Sequence, residues 1–171
     1  MPVNTAYLLI GGNEGNRETT LYQCVQMLRR TVGHVTNLSP VYETASWGNE
    51  TLPPHLNQAV ELETEFDAAE LLTHVLEIEH LLGRTRSTQW GSRKIDIDII
   101  FFNQEVIHTP ELQVPHPWMQ LRRFVLQPLA DIAADYVHPV LHLSVAELLK
   151  ACTDDLSVQA YISEDTEESL L

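Results

Sequence analysis

Two aspartates one residue apart, Asp96 and Asp98, lie within the apolar segment IDIDIIFF. Aspartate is depleted in β-strands, whereas Ile and Phe favour them, so the pair is unusual in a segment that predicts a buried strand over residues 93–102. Side chains alternate along a strand, so both carboxylates should point to one face and the intervening isoleucines to the other. Paired carboxylates are costly to desolvate without a cation, and Mg²⁺ accepts such oxygen ligands together with phosphate and water. The pattern therefore indicates a metal–phosphate site.

The alternative is a half-exposed strand whose aspartates simply face solvent or pair with arginine. The distribution of basic residues argues against it, because the chain has only ten Lys+Arg against 24 Asp+Glu. Most of these few cations fall between residues 84 and 123, namely Arg84, Arg86, Arg93, Lys94, Arg122 and Arg123. A positive island beside paired carboxylates suits a polyanion that is bridged by metal.

Composition sets the class of the protein. With 171 residues, 44% of them hydrophobic, the chain predicts one domain over residues 1–162 and an acidic, disordered tail over residues 163–171. A net charge of −14 argues against nucleic-acid binding. Cys24 and Cys152 form neither a disulfide framework nor a metal motif, which favours a reducing cytoplasm. No segment reaches the roughly 18–20 apolar residues of a membrane span, so no membrane partner is expected.

Apolar periodicity predicts the order strand–helix–strand–strand–helix–strand, which is the ferredoxin-like α+β pattern, followed by a C-terminal hairpin and helices. Asn16 predicts the cap of the first helix, and Asp67 with Glu70 predicts a capping box for the second. The predicted strands cover residues 6–10, 35–44, 56–64 and 93–102; Asn103-Gln104 should turn the last into a hairpin with residues 105–108, and helices should follow at 122–134 and 144–150.

Three further features of the sequence bear on its chemistry. Gly11, Gly12 and Gly15 match no nucleotide-binding glycine signature, which favours a plain turn before a helix. Glu79 lies in the last turn of its predicted helix, where it is either a surface residue or a partner that orders Arg84 and Arg86. His116 lies between two prolines, which should fix its orientation, although such a residue is more often structural. No Ser/His/Asp or Cys/His arrangement has local support.

A set of motifs in order and spacing resembles the 6-hydroxymethyl-7,8-dihydropterin pyrophosphokinases of folate biosynthesis. The matching segments span about residues 7–132: IGGN, YETASWG, LNQAVELET, IEHLLGRTR, WGSRKIDIDIIFF and VPHPWMQLRRFVLQPL. The WG-x-R-x-x-D-x-D segment followed by VPH is the most specific of them. The resemblance implies transfer of the terminal pyrophosphoryl group of ATP to the pterin's hydroxymethyl oxygen, with release of AMP.

The resemblance also implies roles for individual residues. Two Mg²⁺ ions would be held by Asp96 and Asp98, with Arg84 and Arg93 as the catalytic phosphate-binding arginines. ATP would further contact Glu79, Arg86, Trp90, His116 and Arg122, with Trp90 sealing the site. The pterin would be bound by the main chain of Thr44, Ser46 and Trp47, by stacking on His55 and Phe124, and by the amide of Asn57.

Several positions depart from the common family pattern, including His55, Gln89, Ser92 and Pro117. Two alternatives therefore stay open: a Mg-dependent phospho- or nucleotidyltransferase acting on another heterocyclic alcohol, and a non-catalytic nucleotide-binding domain. The expected partners are small molecules, ATP and the hydroxymethyl dihydropterin. The chain is expected to be a monomer that could associate with other folate enzymes.

Overall fold

A computed structural model describes residues 2–45, 53–83 and 94–163. Its elements are β1 (Asn4–Gly12), α1 (Arg17–Thr31), β2 (His34–Leu38), β3 (Tyr42–Thr44), β4 (His55–Thr64), α2 (Ala68–Leu81), β5 (Asp96–Phe102), β6 (Ile107–His108), β7 (Gln113–Val114), a 3₁₀ turn (Met119–Leu121), α3 (Arg123–Ala133), α4 (Val145–Ala151) and β8 (Val158–Ala160). Within these residues, no helix is both long and apolar enough to cross a membrane.

The main sheet is antiparallel in the pairings that join its strands, in the order β5-β1-β4-β3-β8, with β2 also pairing with β4. Alternating side chains divide the core into two layers. Helices α1 and α2 pack with Leu8, Ile10 and Leu62 on one face. Helices α3 and α4 pack with Leu9 and Phe101 on the other. The fold is therefore an antiparallel sheet with helices on both faces.

Both predicted helix caps are confirmed. The Asn16 side chain accepts a hydrogen bond from the Thr19 N–H at 3.1 Å. Asp67 and Glu70 form the reciprocal capping box, with bonds of 2.8 and 3.1 Å. Each such cap satisfies otherwise unpaired N–H groups at a helix start and typically contributes about 1 kcal/mol. Helix α3 also forms as predicted, with Pro128 inside it.

The single strand predicted over residues 35–44 is wrong, because the chain forms two short strands, β2 and β3, with a break between them. At the break, Ser39 exchanges hydrogen bonds with Ala59 through both its backbone and its side chain: its N–H donates to the Ala59 carbonyl and its Oγ accepts from the Ala59 N–H. Pro40 follows and has no N–H to continue a ladder. The hydroxyl thus takes the place of a backbone acceptor where the strand is interrupted.

The predicted hairpin between β5 and residues 105–108 is also wrong, since β6 pairs with β7 instead. Asn103 adopts a positive φ of 48° at the end of β5. Its side chain accepts from the Thr5 N–H and donates to the Asn4 side chain, which ties this turn to β1. The chain consequently leaves the sheet here. Strand β1 is longer than predicted, because it includes Gly11 and Gly12, for which the sequence predicts a turn.

His138 is a buried histidine, with only 5% of its surface exposed. Its Nδ1 accepts hydrogen bonds from the N–H groups of Val140 and Leu141, at 3.1 and 3.0 Å, so this nitrogen carries no proton. Burial, and then the neighbouring His142, lower the pKa of His138 below its usual value. The folded protein therefore favours the neutral imidazole.

This burial predicts a loss of stability in mild acid. The unfolded state binds a proton at His138 at a higher pH than the folded state does. The contribution of this burial to the free energy of unfolding is therefore fully present above the unfolded pKa of about 6.5 and declines as the pH falls below it. We expect His138→Asn, whose amide oxygen can accept the same hydrogen bonds, to flatten this decline. The measurement is the melting temperature between pH 7.5 and 5; parallel curves for the two proteins would contradict the prediction.

Candidate active site

The predicted site has two halves: a donor half, the residues expected to bind metal and ATP, and an acceptor half, the residues expected to bind the pterin. One residue from each half, Asp96 and Asn57, lies in a single row across the sheet. Gly11 of β1 is the register partner of Asp96 in β5 on one side and of Asn57 in β4 on the other. Tyr42 in β3 continues the row next to Asn57. Register partners in neighbouring strands point to the same face, here the face that carries α3 and α4. Residues far apart in sequence are thus placed on one surface.

The paired aspartates lie as the alternation predicts. Asp96 is half-buried and Asp98 is exposed, whereas Ile97 and Ile99 are buried on the opposite face against α1 and α2. The strand itself begins at Asp96 rather than at residue 93. Two carboxylates therefore project from the start of a well-ordered strand whose backbone is fixed by pairing with β1.

A cleft of about 360 Å³ opens beside the aspartates. Helix α2 supplies one wall, and the segment joining β6 to β7 supplies the opposite wall. Leu72 and Leu76 line the α2 wall, and the opposite wall combines Pro110 and Leu112 with Glu111 and Gln113. Asp96, Asp98 and His116 lie together at the strand. The lining residues are Leu72, Leu76, Glu79, Asp96, Ile97, Asp98, Ile99, Pro110, Glu111, Leu112, Gln113, His116 and Pro117. Sequence reasoning missed these walls, because nothing local links residues 72–76 to residues 110–113.

Glu79 is buried, at 3% exposure, so its interpretation as a surface residue is wrong. Its Oε2 accepts a hydrogen bond of 2.8 Å from the backbone N–H of Ile97, between the two aspartates. Glu79 therefore fixes the strand that carries them. Burial, and then the negative charge of Glu79, raise the pKa of the Cys24 thiol to about 12. A thiol with so high a pKa stays protonated at neutral pH and is therefore a poor nucleophile.

His116 is half-buried beside the aspartates, and its backbone N–H donates to the Ile100 carbonyl at 3.0 Å. Burial lowers the pKa of His116; the Asp98 carboxylate opposes this shift and the Arg122 guanidinium adds to it. The shift favours the neutral form of the imidazole. Arg122 is exposed, and its guanidinium carbon lies 5.7 Å from the ring centroids of both Trp118 and Phe124. These rings orient the guanidinium by cation–π contacts.

The acceptor half contains polar groups that are held in a buried position. Asn57 is 7% exposed and Thr44 is 3% exposed. The Thr44 Oγ1 has no hydrogen-bond partner among the residues that the structure describes. Its register partner His55 and the α3 residue Phe124 are both half-buried on the same face. A buried hydroxyl and a buried amide near two rings suit the edge and face of a flat heteroaromatic molecule.

Gly11 makes room for the Asn57 amide, a role that the sequence analysis missed. A Cβ at position 11 would lie 2.1 Å from the Asn57 Oδ1 and 2.6 Å from the Leu56 carbonyl oxygen. Both distances are far below any allowed contact. The local sequence gave no signal of this, because the requirement arises only from the pairing of β1 with β4.

The donor set fits magnesium. Asp96 and Asp98 offer hard carboxylate oxygens on one face, which is the ligand chemistry that Mg²⁺ prefers. Across residues 2–45, 53–83 and 94–163, no group of three or more His, Cys, Asp or Glu side chains could hold a metal. A site with two protein carboxylates leaves coordination positions for phosphate oxygens and water, as is usual for Mg²⁺.

The remaining predicted site residues lie outside the described residues. These are Ser46, Trp47, Arg84, Arg86, Trp90 and Arg93. Their roles stay predictions.

Comparison with known proteins decides the family. The model of the family described as 7,8-dihydro-6-hydroxymethylpterin-pyrophosphokinase (HPPK) matches residues 7–134. The chain belongs to this family. A Bacillus subtilis (strain 168) relative named 2-amino-4-hydroxy-6-hydroxymethyldihydropteridine pyrophosphokinase is 48% identical over 130 residues, covering 75% of this chain and 78% of the relative. A relative of the same name from Aquifex aeolicus is 34% identical, covering 84% and 89% of the two chains.

Larger proteins contain the same unit. The chain is 34% identical to part of a Dictyostelium discoideum folic acid synthesis protein, of which it spans only 21%. A crystal structure of Plasmodium falciparum HPPK-DHPS with pteroate has the same fold, with a TM-score of 0.73 at 18% identity, over 88% of this chain and 42% of that one. The chain thus spans about two fifths of the length of that solved relative.

Proposed function

We propose that this HPPK family member transfers the β,γ-pyrophosphoryl group of ATP to the hydroxymethyl oxygen of 6-hydroxymethyl-7,8-dihydropterin. The product is the pterin pyrophosphate, and AMP is released, as one step of tetrahydrofolate biosynthesis. The observation that carries the proposal is the shared row of Asp96 and Asn57, which puts a carboxylate suited to a metal and a buried amide suited to a ring edge on one surface. Family membership supplies the reaction that joins these two halves.

The donor half binds the triphosphate. Asp96 and Asp98 would hold Mg²⁺, two ions in the family pattern, and the bound metal supplies charge neutralisation to the phosphates. Glu79 keeps the strand beneath them in place through its bond to Ile97. His116, as a neutral imidazole, offers a hydrogen bond without adding charge, while Arg122 adds a cation at the rim. The proposed arginines Arg84, Arg86 and Arg93, with Trp90, would complete the binding of ATP.

The acceptor half orients the alcohol. The Asn57 amide and the Thr44 hydroxyl would pair with the donors and acceptors along the pterin edge, while His55 and Phe124 would stack on its faces. The main chain at Thr44, Ser46 and Trp47 would complete the slot. The hydroxymethyl oxygen then attacks the β-phosphorus and releases its proton to water, the bond from that phosphorus to the α–β bridging oxygen breaks, and AMP leaves with its electron pair. Orientation of the two substrates is a major catalytic contribution.

The proposal also covers the fold class, the domain bounds and the partners of the chain. The strand order β5-β1-β4 followed by β2 and β3 supports a ferredoxin-like core, built as one domain over residues 1–162. We propose a monomer that uses small-molecule substrates. The folic acid synthesis protein that contains a matching unit supports an association with other folate enzymes.

The identity of the nucleotide product tests the proposal. Incubation with ATP, Mg²⁺ and the hydroxymethyl dihydropterin should give AMP and the pyrophosphorylated pterin in equal amounts, measured by ion-exchange chromatography. The matched control replaces the pterin with its 6-methyl analogue, which lacks the hydroxyl and should give no AMP. Formation of ADP would indicate a simple phosphotransferase. No turnover of ATP would indicate a nucleotide-binding domain without activity.

A further inference from the structure

Arg17 occupies an electrostatically unfavourable position at the first residue of α1. The N-terminus of a helix carries partial positive charge, so a cation is disfavoured there. Arg17 nevertheless is mostly covered, with a side-chain exposure of 21%. Its placement therefore requires contacts that offset the unfavourable interaction with the helix dipole. The residues that make these contacts adjoin or support the acceptor half of the site.

Two of the contacts are hydrogen bonds to the ends of adjacent strands. The Arg17 Nη1 lies 2.9 Å from the Glu43 Oε2 and donates to the Pro54 carbonyl at 2.7 Å. Glu43 immediately precedes Thr44, and Pro54 immediately precedes His55. Thr44 and His55 are themselves register partners in β3 and β4. One guanidinium thus joins the residues next to a pair that lines the proposed pterin slot.

The third contact comes from the C-terminal part of the chain, beyond the family match that ends at residue 134. The Arg17 guanidinium carbon lies 5.6 Å from the centroid of the Tyr161 ring. Tyr161 is anchored by its N–H, which donates to the Val41 carbonyl at 2.8 Å. It follows β8, whose Val158 pairs with Thr44 on the open side of β3. The C-terminal strand and its tyrosine therefore support both Arg17 and Thr44.

We propose that Arg17, held in place by Tyr161, is a positioning residue for the acceptor substrate. It acts through Glu43 and Pro54 to hold the adjoining ends of β3 and β4, and so the orientation of Thr44 and His55 at the slot that takes the flat heterocycle. The inference rests on the proposed function and adds a specificity-determining contact from outside the matched family segment. It predicts that loss of the contact raises the KM for the pterin and leaves the KM for ATP unchanged.

The test compares steady-state constants for both substrates in Arg17→Met. We expect the KM for the pterin to rise about tenfold and the KM for ATP to stay within about twofold, because the donor half is untouched. Arg17→Lys, which keeps the charge but not the fork of donors, should restore part of the loss. Arg30→Met, at the exposed far end of the same helix, is the matched control and should behave as the unaltered protein.

A second pair of variants keeps the test decisive if Arg17→Met does not fold. Tyr161→Ala should raise the pterin KM in the same direction, while Tyr161→Phe, which retains the ring, should not. An unchanged pterin KM in both Arg17→Met and Tyr161→Ala, or an equal rise in both KM values, would overturn the inference. If the unaltered chain forms no AMP with pterin, the proposed function fails and the inference fails with it. Normal turnover with an insensitive Arg17 defeats the inference alone.

Discussion

Asp98→Asn is expected to reduce pterin-dependent AMP formation by about a thousandfold or more, because charge stabilisation by a bound metal is worth several kcal/mol and each 1.36 kcal/mol is a factor of ten. The asparagine keeps the size of the side chain but removes the negative charge that is proposed to hold Mg²⁺. Asp98 is exposed, so the fold should persist. The melting temperature should stay within about 2 °C or rise slightly, since one of two neighbouring like charges is lost.

The control for this experiment is Asp135→Asn, which makes the same chemical change at an exposed position that lines neither half of the site. It should retain full activity. Titration with Mg²⁺ in the presence of a nonhydrolysable ATP analogue provides an independent measurement, in which Asp98→Asn should lose metal-dependent nucleotide binding. Near-normal turnover of Asp98→Asn would remove the metal argument for the donor half.

Gly11→Ala is expected to lower kcat/KM for the pterin by about a hundredfold, the effect that a misplacement of about 1 Å can produce. A methyl group at this position would overlap the Asn57 Oδ1, so the amide must rotate away from the place proposed for the pterin edge. The new side chain also approaches the Leu56 carbonyl, and such overpacking costs about 1–3 kcal/mol of stability. Steady-state kinetics and thermal unfolding measure the two effects separately.

A double-mutant cycle with Asn57→Ala separates the loss of the amide from general damage to the strand. If Gly11 acts by making room for Asn57, adding Gly11→Ala to the Asn57→Ala protein should cause a much smaller further loss of pterin use. Fully additive effects on kcat/KM would show that Gly11 does not act through Asn57. The KM for ATP serves as the internal control and should change little in any of the three variants.

Features with local causes could be predicted from the sequence. The alternation that separates Asp96 and Asp98 from their isoleucine neighbours depends on one strand alone, and the caps at Asn16 and Asp67 depend on single turns. The break between β2 and β3 could not be predicted in this way, because the Ser39 hydroxyl is satisfied by Ala59, twenty residues away. The partner of β6 likewise depends on how Asn103 is tied to β1.

The same distinction holds for the site. The spacing of the aspartates predicted the donor half from the residues themselves, whereas Asn57, Thr44 and Phe124 entered only through the family resemblance. The space that Gly11 leaves for Asn57 depends on pairing between β1 and β4, and the contact of Arg17 with Tyr161 joins opposite ends of the chain. Strand register and long-range packing decide such features, and neither is encoded in short motifs.

The row that joins Asp96, Gly11 and Asn57 limits how long the arm between the ring and the alcohol oxygen of the acceptor substrate can be. Two neighbouring strand spacings separate the outer members, a backbone distance of about 9–10 Å. A hydrogen-bonded sheet does not stretch, so under the proposed roles of Asp96 and Asn57 the spacing between the residue that binds the metal and the residue that binds the ring is constant. An alcohol carried on an arm one or two carbons longer would overshoot the phosphorus, and the sheet itself would then select the one-carbon arm.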